Sequence, residues 1–207
     1  MMRMPVPQLI FALAAGLALA TPAAGDLGDP ATIAHADVDR FMGRWYEIAR
    51  MPNRRESNCV RDVVATYERR NASAIRIVNV CRTADGELER VQGVARIRDG
   101  DSKAKLELRY APLALAWLPF LWDDWWILEA APEYTYMMTG DPSRRSLWIY
   151  ARTPALDEAT YGTLVAHAAA QGYDTSRLVR TPQTVTQTTP EMPRAVQSLQ
   201  PSPEPRQ

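Results

Sequence analysis

The chain has 207 residues, with 24 Lys and Arg balanced by 24 Asp and Glu, so no net field draws it towards nucleic acid and a small apolar partner suits it better. Its two histidines, His35 and His167, lie far apart in sequence and suggest no metal pair, and there is no Gly-rich phosphate loop and no internal repeat. Once the two ends are set aside, the length allows one domain with a substantial core and not comfortably two.

The chain opens on an apolar run from Leu9 to Ala20, preceded by Arg3 and followed by Ala23-Ala24. Residues 1–25 therefore read as a signal peptide, too short and too rich in small residues for a membrane-spanning helix, with an uncleaved inner-membrane anchor as the alternative. Export places the protein in the periplasm or outside the cell.

Between Arg44 and Ala151 eight segments either alternate apolar and polar residues or cluster β-branched and aromatic ones. They fall near 44–51, 60–69, 74–81, 88–98, 103–111, 124–130, 134–139 and 146–152. Turn chemistry separates them: Pro52-Asn53, Arg70-Asn71, Asp85-Gly86, Asp99-Gly100, Pro112, Pro132 and Gly140-Asp141-Pro142. The short spacings predict an all-β, up-and-down antiparallel arrangement, and eight such strands close into a barrel that holds packed side chains or one small ligand. After Pro154 the pattern changes. Asp157-Glu158 opens a stretch in which Tyr161, Leu164, Val165 and Ala168 recur at helical spacing, and Gly172 stops it. From about Pro182 to Gln207 the chain holds six prolines with Thr, Gln, Ser and Glu. Residues 184–207 are expected to be a disordered tail, leaving 36–183 as the domain.

Cys59 and Cys81 are equidistant from residue 70, so a hairpin turning there sets them face to face, close to disulfide geometry. An oxidising compartment would join them. Two unrelated buried thiols remain the alternative.

Three fragments carry a family resemblance. Gly43-Arg44-Trp45-Tyr46 sits at the entrance to the first strand, Glu133-Tyr134-Thr135-Tyr136 at the start of the seventh, and Leu147-Trp148-Ile149-Tyr150-Ala151-Arg152-Thr153-Pro154 ends the last. At this spacing, with a helix next, the chain resembles the lipocalins over 37–183. The strings GRWYEIAR and GDPSRRSLWIYARTP look most like the bacterial lipocalin branch that includes apolipoprotein D. The resemblance implies that Trp45 plugs the barrel floor beside Gly43 with the Arg152 guanidinium across it, a contact worth about 0.5–2 kcal/mol. It also implies that the helix packs outside the barrel and that a short strand, Leu178 to Thr181, pairs beside the first. Many bacterial members are lipoproteins, but no cysteine precedes Cys59, so no lipid anchor is expected.

With Trp45 at the floor, the opposite rim comprises 52–59, 82–87, 112–123 and 140–145. Arg54, Arg55, Arg144 and Arg145 make that rim cationic, while Trp117, Phe120 and Trp122 make the third loop aromatic. Such a mouth suits an amphiphile with an anionic head, and the loop itself is a candidate for contact with a bilayer surface. Family geometry turns Trp148, Tyr150 and Arg152 inward, and Trp45, Glu47 and Ala49 with them. The expected ligand contacts are Glu47, Tyr67, Trp125, Trp126, Tyr136, Met138, Trp148 and Tyr150. A parity error of one residue would flip half of them.

Catalysis finds little support. Asp123-Asp124 are strand neighbours that point to opposite faces, and no Ser-His-Asp set assembles at one rim. The expected function is non-enzymatic: binding and transport or storage of a fatty acid, lysophospholipid or similar amphiphile, by a monomer or homodimer, with no cofactor and no metal. The alternatives are a lipid-modifying enzyme using Glu47 or a cysteine, and a membrane-contact module whose barrel is filled by its own side chains.

Overall fold

Residues 27–110 and 118–184 are described by a computed structural model. The signal-like segment, Trp117 and the tail beyond Thr184 lie outside the described residues. Alternation becomes a closed sheet, in the order β1 (Gly43–Arg50), β2 (Arg61–Arg69), β3 (Ala74–Arg82), β4 (Leu88–Ile97), β5 (Lys105–Arg109), β6 (Asp123–Ala130), β7 (Tyr136–Gly140) and β8 (Leu147–Ala151). Each pairs antiparallel with the next, and β1 closes the barrel by pairing with both β8 and β2. These strands lie within a few residues of the positions expected from alternation. A short helix α1 (Val38–Phe41) precedes the barrel, α2 (Glu158–Ala170) follows it, and β9 (Val179–Arg180) pairs with the outer half of β1.

The two faces of the sheet bury different side chains. Inside lie Trp45, Ala65, Tyr67, Ile75, Ile77, Leu106, Leu108, Trp125, Met137 and Tyr150, joined from below by Phe41 of α1. Outside, Ile48, Leu128, Met138, Leu147 and Ile149 pack under α2 through Leu164 and Ala168. Asp157 caps that helix by accepting from the Thr160 N–H at 2.8 Å, which supplies one of the donors a helix start leaves open.

Two bulges decide which side chains enter the barrel. In β1 the register slips between Glu47 and Ala49. The extra residue lets Ile48 and Ala49 both face α2, so Ala49 does not share the inner face with Trp45, as strict alternation would require. A second bulge lies between Ile127 and Glu129 of β6.

The disulfide joins Cys59 to Cys81, with Cα atoms 5.5 Å apart. The hairpin does not turn about residue 70. Tyr67 faces Ile77 and Val64 faces Val80, which centres the ladder two residues later, and the register shifts again between Arg61 and Val64. Cys59 therefore sits in the rim loop, and it reaches Cys81 because that loop folds back over the β3 end.

Candidate ligand cavity and its floor

Phe41 to Trp45 build the floor. The Trp45 indole N–H donates to the Phe41 carbonyl at 2.8 Å, and the Arg152 guanidinium lies 3.8 Å from the indole centroid. Arg152 also donates to the carbonyls of Arg40, Met42, Arg44 and Tyr134 at 2.6–3.2 Å. One cation thus satisfies four carbonyls from two chain segments, which fixes the floor against the last strand. Gly43 is needed beside it: its φ is +94°, and a Cβ there would come within 3.4 Å of Arg152 Nη1. Tyr134 joins the floor by accepting from the Asp37 N–H at 2.7 Å. Above the indole, the Phe41 ring lies 4.6 Å from Tyr67 and 5.6 Å from Trp125, and Tyr67 stacks on Trp125 at 5.7 Å. The lower half of the barrel is therefore solid.

The upper half is hollow. A cavity with about 600 Å³ of atom-free space, part of it open at the rim, is walled by Val63, Tyr67, Asn79, Cys81, Val91, Leu108, Tyr110, Trp125, Trp148 and Tyr150, with Asn53, Arg55, Glu56 and Glu89 near its mouth. It is narrow. Its apolar lining with a few polar groups is that of a small-molecule site. Burial raises the phenols of Tyr67, Tyr110 and Tyr150 well above their ordinary value, so they are neutral hydroxyls at physiological pH.

A polar cluster lies beside the mouth. Asn53 caps the turn at 54–56 by accepting from the Arg55 and Glu56 N–H groups, and its amide donates to Glu56 Oε2 at 2.5 Å. The Trp148 indole donates to the same oxygen at 3.0 Å. Arg50 reaches Glu47 Oε1 at 2.6 Å and the carbonyls of Glu56 and Cys59 at 3.1 and 2.7 Å. Thr181 also donates to Glu47 Oε1, while Glu47 Oε2 is buried without a hydrogen-bond partner. Burial, then the charge of Glu56, pushes the Glu47 carboxyl up to about 7, against the pull of Arg50 and Thr181.

Of the eight expected contacts, four line this cavity and four do not, and one rim residue joins the first group. Tyr67, Trp125, Trp148 and Tyr150 line the cavity and Arg55 stands at its mouth. Glu47 faces inward but lies behind the wall, held by Arg50. Trp126 and Met138 face α2, and Tyr136 packs against the same outer cluster. The reason is pairing: Tyr150 faces Met137 across β8 and β7, and partners share a face, so the even-numbered β7 residues point outward. Trp126, next to the inward Trp125, has the Lys105 ammonium 4.0 Å from its ring.

The rim is rearranged in the same way. Arg144 turns from the mouth to donate to the carbonyls of Gln171 and Gly28 at 2.6 and 2.7 Å, which serves the C-terminal end of α2. Arg145 lies in a surface groove with Trp122 and Asp124, and Arg54 is exposed. The guanidinium groups of Arg96 and Arg109 lie 3.9 and 4.8 Å from the Trp122 ring centroid. Phe120 is 75% exposed. Alternation alone missed Phe41, Arg50, Glu56, Asn79 and Tyr110. Asn79 and Tyr110 were within reach, since each stands two residues from an inward neighbour, Cys81 and Leu108.

A family profile described as a lipocalin-like domain matches residues 36–183. Temperature-induced lipocalin-1 of Arabidopsis thaliana is 39% identical over 152 residues, covering 72% of this chain and 81% of that protein. The outer membrane lipoprotein Blc of Escherichia coli K12 is 28% identical over 144 residues, covering 69% and 77%, and mouse apolipoprotein D is 29% identical over 164 residues, covering 77% and 83%. Among solved structures, lobster apocrustacyanin A1 superposes with a TM-score of 0.56 at 18% identity, covering 77% of this chain and 93% of that one, and tobacco hornworm insecticyanin with 0.53 at 18%, covering 74% and 83%. The structural likenesses speak for the fold alone. With the closed barrel, the tryptophan floor and the matched profile together, the chain belongs to the lipocalin family.

Proposed function

We propose that this lipocalin binds a small amphiphilic lipid, a fatty acid or lysophospholipid, and carries or stores it in the periplasm or cell envelope. Lipocalins as a family bind small hydrophobic ligands, and the observation that carries the finer reading is the aromatic cavity over a solid floor. Ten methylenes buried there gain about 8 kcal/mol before association costs, so useful affinity needs only a dry slot and a few polar groups. The envelope location is supported by the export-like first residues and by the likeness to an outer membrane lipoprotein.

The test is mass spectrometry of lipid retained by protein that was purified, refolded and exposed to a lipid extract, with tryptophan emission followed on titration. Trp125 and Trp148 line the cavity, so occupancy should change their emission. The expected result is about one acyl lipid per chain, returned chemically unchanged. No retained lipid and unaltered emission would refute the proposal, and a chemically altered lipid would favour an enzyme instead. The exposed Phe120 beside Leu118 and Leu121 supports bilayer contact by the 112–123 loop. Liposome flotation, lost in F120S with ligand uptake intact, is the expected sign.

A further inference from the structure

The polar groups of the cavity do not match an anionic head. Of the charged wall residues Arg55, Glu56 and Glu89, two are acids, and the Arg55 guanidinium is already paired with Asp123 across the rim. Behind the wall a single guanidinium, Arg50, faces two carboxyls, Glu47 at 2.6 Å and Glu56 at 3.7 Å. Asn79 donates its amide to the Tyr110 hydroxyl at 3.2 Å, while its carbonyl oxygen is buried with no hydrogen-bond partner. An orphaned acceptor in a cavity wall is satisfied by a donor from a ligand or water. The rings of Tyr67, Trp125, Trp148 and Tyr150 line the space, and that of Tyr110 already has the Arg55 guanidinium 5.2 Å from its centroid, as ring faces attract cations. A carboxylate entering here would meet Glu56, and Arg55, the one guanidinium in the described wall, is already shared between Asp123 and the Tyr110 ring.

We propose that the cavity prefers amphiphiles whose polar end is a cation or hydrogen-bond donor, an alkylammonium group above all, over carboxylates of the same chain length, with Glu56 and Asn79 setting the preference. This rests on the amphiphile-carrier reading and narrows it: among the lipids considered there, head groups bearing an amine are favoured and free fatty acids disfavoured.

Isothermal titration calorimetry of the full chain at about pH 8, with single-chain probes of about ten to fourteen carbons kept below their micelle concentrations, tests this directly. Three head groups are compared: primary ammonium, glycerol ester and carboxylate. The ammonium probe is expected to bind about tenfold tighter than the carboxylate, with the ester between. E56Q, isosteric at the Trp148 and Asn53 contacts, should cut that ratio to about threefold or less and leave the ester within about twofold. Asn79→Leu, which needs no change at Glu56, should weaken the ester and the ammonium probe but not the carboxylate. A carboxylate that binds as tightly as the ammonium probe, or a ratio that both variants leave unchanged, would overturn the head-group preference while leaving the carrier intact. If none of the three probes binds, the carrier reading itself fails.

Discussion

Glu47 should tie the stability of the barrel to pH. Its carboxyl ionises near 4.5 in the unfolded chain and near 7 in the fold, chiefly because it is buried and secondly because Glu56 is close. Between these values the folded chain holds a proton that the unfolded chain has released, so rising pH favours unfolding through this window and has no further effect from this group above it. Each unit of difference is worth 1.36 kcal/mol, so the full swing is on the order of 3 kcal/mol. The side chains of Asp85, Asp99 and Asp157 are shifted the other way, downward, mainly by hydrogen bonds from Thr83, Ser102 and Thr160 respectively. Their stabilisation is lost only as pH falls below about 4, outside the window. Glu47→Gln keeps an oxygen for Arg50 and Thr181 and removes the ionisation. Urea denaturation followed by tryptophan fluorescence, from about pH 5 to about pH 8.5, should show the wild type losing about 3 kcal/mol while E47Q stays flat. A flat wild-type profile, or an E47Q variant with the same slope, would show that the buried carboxyl is not the source.

Replacing Arg152 by Met leaves four floor carbonyls without their donor, and about 3 kcal/mol of stability should be lost in chemical denaturation, with Lys restoring only part because it cannot fork. C59S should cost about 3 kcal/mol, the entropy of a loop of this length, and the loss should be matched by adding reductant to the wild type. F41A removes the ring that packs against Tyr67 and Trp125, which extends the cavity downward. It should destabilise the fold by about 3–5 kcal/mol and shift the preferred acyl chain upward by several carbons in a chain-length series. Unchanged chain preference in a folded F41A would mean that the cavity does not end at Phe41.

The sequence made strand number, order and floor legible because each rests on local chemistry: period-two alternation, turn residues between runs, a glycine with a tryptophan two places on. The face of a given side chain is a different kind of information. Trp45 and Arg152 lie near bulge-free strand ends, where alternation carries through, whereas Ala49 lies beyond a slip in register. The same slip aims Arg50 at the rim loop, where alternation from Trp45 would have placed it outside. For β7 the six-residue connection 141–146 leaves the register open by one, and that residue exchanges Met137 for Met138. The disulfide was expected from a turn at residue 70, yet it forms with the ladder centred elsewhere. Proximity of the two chain segments was legible, but the register that produces it was not.

The β1 bulge also accounts for the role of the residues after α2. β1 pairs with β2 only from Gly43 to Tyr46, so beyond the slip the facing edges of the two strands need other partners. The segment 179–184 supplies them. β9 pairs with Ala49 and Arg50, the Asp62 N–H donates to the Pro182 carbonyl at 2.8 Å, and the Gln183 amide donates to the carbonyls of both Glu47 and Val63 at 2.8 and 3.0 Å. Unmet backbone groups at a buried edge are costly, and one side-chain amide here closes the seam from each side. Because Thr181 of the same segment holds Glu47, the closure of the wall and the titration of the carboxyl behind it depend on one short piece of chain. Disturbing Gln183 or Thr181 therefore acts on the mouth, although neither residue lines the cavity.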